Sequence, residues 1–145
     1  MRLIEVGQTY LNGGTHRAPE EWTRLYQTMI ELIPTCNDVE ELREFAEMDQ
    51  RFAYPPFVTH KTSEKLLELH DFSENTLWRY ATQLGLYWSL DGYEELENYL
   101  FEHLNALHER HATEAEYVLL GEDIWKRVQK FHNEHPDWDE LYLRD

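Results

Sequence analysis

The sequence predicts an all-α fold: a compact bundle or array of six to seven helices in antiparallel hairpins, with a short extended N-terminal arm. Three observations predict it. Apolar residues recur at three- and four-residue steps through most of the 145 residues. Capping-box patterns stand at the starts of successive stripes. The turn signals between stripes are short, which makes consecutive helices antiparallel neighbours. With 41% hydrophobic and 14% aromatic residues, the chain is able to bury a core despite its charge. A single helical domain over 1–145 is expected, comprising an arm (1–17), a first helix pair (19–53), a proline corner (54–60), and a central hairpin with C-terminal helices (62–145).

In the arm, Leu3-Ile4-Glu5-Val6 leans towards β structure and Asn12-Gly13-Gly14 is a turn signal. A lone hairpin is not stable, so the arm is expected to lie extended, or as a small hairpin, on the helices. Pro19 suits a first helical turn. Trp22, Leu25, Tyr26, Met29, Ile30 and Ile33 then follow at helical spacing until Pro34 stops the run. Asn37 with Glu40 is a capping-box pattern, opening a second helix marked by Val39, Leu42, Phe45, Ala46 and Phe52. Tyr54-Pro55-Pro56-Phe57 reads as an extended internal corner. A shorter helix over 62–70 carries Leu66, Leu67 and Leu69.

The central pair occupies 73–110. Ser73 caps its first arm, where Leu77, Trp78, Ala81, Leu84, Gly85 and Trp88 share a face, with Tyr80 and Tyr87 beside it. The turn is expected at 89–92, with Asp91 and Glu94 as a further capping box. The second arm is striped by Tyr93, Leu96, Leu100, His103, Leu104 and Leu107. Thr113 with Glu116 caps a helix carrying Tyr117, Leu120, Ile124, Val128 and Phe131. Pro136, then Asp137 with Glu140, starts a last turn that docks Trp138, Leu141 and Leu143.

Leu84-Gly85, then Trp88, then Gly92-Tyr93-Glu94-Glu95, resembles the core of a tetratricopeptide repeat, which implies a helical hairpin. The resemblance covers one hairpin. It departs by one residue at the turn, places Leu96 where the family has a small residue, and lacks the closing proline. No second copy stands at the ~34-residue period of such arrays, so we read it as shared hairpin physics.

Charge narrows the function classes. Lys and Arg total 13 against 29 Asp and Glu, a net −16. Phosphate neutralisation needs the opposite sign, so direct nucleic-acid binding and anionic membrane surfaces are disfavoured. A basic protein partner fits. No apolar run approaches a membrane span, no secretory signal is evident, and the single Cys36 fits a reducing compartment, so the cytoplasm is the expected location. Residues 92–145 hold 14 acids and five bases, which makes this half the stronger source of field. Its expected contact residues are Glu94, Glu95, Glu97, Tyr99, Glu114, Glu116, Glu122, Asp123 and Trp125, the acids speeding encounter and the rings supplying burial.

Catalytic signals are absent. Carboxylate pairs at helical spacing are expected by chance at this acid content, and no phosphate loop, nucleophile elbow or Cys-x-x-Cys occurs. Cys36 precedes a helix start, where amide dipoles favour a thiolate, but no base is near in sequence. The densest histidine group is His103, His108 and His111, with His132 and His135 as a second pair. Zinc needs three or four converging ligands, and the spacing offers at best two adjacent ones. No cofactor is expected. Lys126, Arg127 and Lys130 read as internal charge balance.

The leading expectation is therefore a non-catalytic helical interaction module of adaptor, inhibitor or immunity type, binding a basic partner. The alternatives are a metal-dependent enzyme using the His/Glu cluster of the 92–111 helix, and a structural subunit of a larger assembly. A homo-oligomer is compatible with either class, and nucleic-acid mimicry by the acidic face is a variant of the first.

Overall fold

The computed structural model of the chain describes residues 2–13, 17–49, 53–84 and 93–134. Among them are seven α-helices and no strand, so the chain is all-α. It divides into two compact units, Met1–Leu69 and His70–Asp145.

The first unit begins with α1, Leu3–Leu11, where an extended arm was expected. Leu3, Ile4, Val6 and Gly7 are buried, with Tyr10 and Leu11 packed alongside, and this face lies on the second and third helices. The β-branched residues mislead because propensity is weak beside the burial of an amphipathic stripe. Tertiary contacts supply what the helix ends lack. The Ile4 amide donates to Glu41 Oε2 at 3.3 Å, and Arg17 donates to the Thr9 carbonyl at 2.7 Å while its guanidinium lies 4.6 Å from the Trp22 ring centre.

Helix α2, Pro19–Leu32, runs into a 3-10 turn, Ile33–Thr35, at Pro34. Helix α3, Val39–Glu47, is capped by Asp38 rather than by Asn37: the Asp38 carboxylate accepts from the amides of Glu40 (3.0 Å) and Glu41 (3.3 Å). The proline corner is also tighter than expected. Pro56 is the first residue of α4, Pro56–Glu68, because a first-turn proline gives up no helical hydrogen bond. The approach is held by Asp49, which accepts from the amides of Ala53 (2.6 Å) and Tyr54 (3.0 Å). Tyr54 stacks on Phe45 at 4.7 Å and donates its hydroxyl to the Phe45 carbonyl. Around this pair, Val6, Met29, Ile33, Leu42, Val58 and Leu66 complete a core drawn from all four helices.

The second unit holds α5 (Glu74–Leu84), α6 (Tyr93–Glu109) and α7 (Glu114–Glu134), each packed on the other two. Ser73 caps α5 as expected: its Oγ accepts from the Thr76 amide, while the Thr76 hydroxyl donates to Asp71. On α6, Leu96, Leu100, Leu104 and Leu107 are buried, whereas His103, expected on this stripe, is exposed. On α7, Tyr117, Leu120, Ile124, Val128 and Phe131 are all buried. Gly121 belongs to the same face because any side chain there would meet the Phe72 ring. Phe52, the expected turn at 89–92 with Gly85, Tyr87, Trp88 and Asp91, and the last turn around Trp138, Leu141 and Leu143 lie outside the described residues.

Candidate functional site

The expected contact residues of 92–145 lie on α6 and α7. Glu94 and Glu95 are exposed in the first turn of α6, where the helix dipole favours carboxylates. Glu114 and Glu122 are exposed on α7, Glu97 is half-buried, and Trp125 is half-buried further along α7. The other three are engaged within the unit. Glu116 accepts from Arg110 at 2.9 Å and from the Thr113 amide at 3.3 Å, closing the helix entry. Tyr99 donates its hydroxyl to Asp123, and Arg127 pairs with that carboxylate at 3.3 Å while lying 3.9 Å from the Tyr99 ring centre.

The cluster at Tyr99 is electrostatically tuned. Burial alone pushes the Asp123 carboxyl up, but the Tyr99 hydroxyl and the Arg127 guanidinium outweigh it and hold the group below the ordinary carboxylate range. The same hydrogen bond, reinforced by burial, raises the Tyr99 phenol. Beside the cluster runs a shallow groove of about 390 Å³, lined by Leu96, Tyr99 and Phe131 with Arg127 and Lys130, and rimmed by Glu95 and Glu134. Arg127 thus acts as the expected internal charge balance. Lys126 and Lys130 have no ion pair among the described residues.

The three histidines of 92–111 are held apart by separate tasks. The His103 Nδ1 lies 2.8 Å from the Tyr99 carbonyl and its ring rests on Tyr99. His108 faces Glu74 at 3.6 Å. His111 terminates α6 with φ 52°, serving through its backbone. Among the described residues no group of three His, Cys, Asp or Glu side chains is placed to hold a metal ion. Cys36 also departs from expectation. Burial raises its thiol further than the bond from Sγ to the Asp38 carbonyl lowers it, and Asp38 and Glu41 add to the rise. The residue closes the 3-10 turn two positions before Asp38, whose own carboxylate accepts from the Glu40 and Glu41 amides of α3.

Sequence reasoning missed two residues. Val118 and Leu119 are the large hydrophobic side chains exposed among the described residues, at 36% and 67%. The signal was present: both fall outside the helical stripe formed by Tyr117, Leu120, Ile124, Val128 and Phe131. No helix among the described residues is long and apolar enough to cross a membrane. Compared with protein-family models, with curated proteins and with solved structures, the chain finds no match.

Proposed function

We propose that this protein is a non-catalytic, acidic helical interaction module of adaptor, inhibitor or immunity type, working in the cytoplasm and binding a basic protein partner. The observation that carries the reading is the set of exposed carboxylates on α6 and α7, Glu94, Glu95, Glu114 and Glu122, in a chain of net charge −16. Acids paired with Arg110 or Arg127 are neutralised locally, whereas these four contribute their field to solvent. A positive partner is steered towards such a surface and encounters it faster. Burial of Trp125, already half-covered, adds area once contact is made.

The test is capture from lysate of the native host at low and at raised salt, with the wild type and with Glu94, Glu95 and Glu97 all replaced by Lys. A basic protein should be retained at low salt and released as salt rises, and the triple variant should associate roughly tenfold more slowly. Recovery of nothing basic, or retention indifferent to both salt and charge reversal, rejects the module.

A further inference from the structure

We propose that the outward face of α7, centred on Leu119, is the docking seam for an amphipathic basic helix of the partner protein. This rests on the reading above and adds a place and a shape to it. Val118 and Leu119 are exposed in a unit whose other large apolar side chains, among the described residues, are at least half-covered. Residues three and four apart on a helix are surface neighbours. Val118 therefore lies between Glu114 and Glu122, four positions to either side, with Trp125 seven positions on along the same stripe. Leu119 has Ala115 four positions before it and Glu122 three after. The seam is thus a narrow apolar strip edged by the exposed Glu114 and Glu122, with the exposed Lys126 seven positions past Leu119.

That edging selects the occupant. An amphipathic helix with leucine-like residues on one face and Lys or Arg flanking them sets apolar against apolar and cation against Glu114 and Glu122. A second copy of this chain fits poorly. Antiparallel pairing of two α7 helices about Val118 brings Glu122 of one copy towards Glu114 of the other, between molecules that each carry −16. A pair of exposed apolar side chains is also far short of the roughly 2,000 Å² or more that obligate homodimers bury.

The seam is tested with a defined probe, an 18-residue peptide of Leu and Lys with the leucines at helical spacing. The control has the same composition with Leu and Lys alternating. Affinity is measured by fluorescence anisotropy at two salt concentrations, and the contact is mapped by amide shifts in the labelled protein. The expected result is tighter binding of the helical peptide than of its control, with shifts centred on residues 114–125. Leu119→Ser, which removes no charge, should weaken binding about tenfold and leave the salt dependence intact. Val118→Ser should weaken it less. Binding that responds to salt but ignores both serine variants overturns the seam and leaves the general acidic reading standing. Shifts confined to the first turn of α6, or no binding of the peptide at all, also overturn the seam. A dimer seen by light scattering that Leu119→Ser dissolves replaces the partner with a second copy.

Discussion

Gly7 shows how much one absent carbon controls. A Cβ built there would stand 2.7 Å from the Tyr54 hydroxyl and 2.8 Å from the Phe45 ring. Neither neighbour is able to yield cheaply, because the hydroxyl is bonded to the Phe45 carbonyl and the Phe45 ring is fully buried. Gly7→Ala should therefore destabilise the protein by about 1–3 kcal/mol, the range for overpacking a core, measurable by urea unfolding. An unchanged midpoint means that α1 is not seated this way. At Asp123 the relevant readout is a titration. Its carboxyl titrates lower folded than unfolded, so its contribution to stability is present above the ordinary carboxylate pKa and fades as pH falls through the depressed one. Solvent discounts that contribution at a side chain 40% exposed, so the pKa itself is the better measure. Tyr99→Phe deletes one of the bonds that lower it. The carboxyl signal of Asp123 followed by NMR should move to a higher pKa in this variant, and an unmoved titration would sink the assignment.

At the scale of the elements, the end of α6 carries a cost that can be removed. The Ala112 amide donates to the Leu107 carbonyl (3.0 Å) and the His111 amide to that of His108 (3.2 Å), with His111 left-handed between them. This is the Schellman arrangement, in which glycine usually takes the left-handed position. His111→Gly should raise stability by about 1 kcal/mol, less any loss from the freer unfolded chain; thermal melting checks the direction, and a lower Tm counts against it. Such ends explain which elements were legible. Helices α2, α5 and α7 could be read because long stripes and local signals agreed, with Pro19, Ser73 and the Thr113–Glu116 pair acting on their own helices. Helix α6 was legible from its stripe of Leu96, Leu100, Leu104 and Leu107. Helix α1 could not, since its start is satisfied by Glu41, 37 positions away, and its end by Arg17. The corner at Pro56 was misplaced because a proline pair reads as extended until Asp49 is seen folding the chain beneath it. In the candidate site, the exposed acids were legible from composition. The engagement of Tyr99 and Asp123 was not, since they are 24 positions apart on different helices.

For the molecule as a whole, the excess of acids acts on stability as well as on encounter. At net −16 the like charges repel one another, and the repulsion is relieved when the chain expands. Salt acts in two opposite senses. It weakens surface pairs such as Arg110–Glu116 and Arg127–Asp123, each worth at most about 1 kcal/mol. It also screens the many unpaired carboxylates from one another. With 29 acids against 13 bases, most acids have no cation available even if every base is paired, so relief of repulsion should win. Raising ionic strength from about 0.01 M to about 0.15 M shortens the screening length from ~30 Å to ~8 Å. Over that range the Tm should rise by about 2–6 °C, corresponding to roughly 1–2 kcal/mol for a chain of this size. The same increment of salt is expected to weaken capture of a basic partner. Calorimetry and binding measured on one preparation should therefore move in opposite directions. If both fell together, the local pairs would dominate the surface, and the carboxylates of α6 and α7 would no longer be the source of a long-range field.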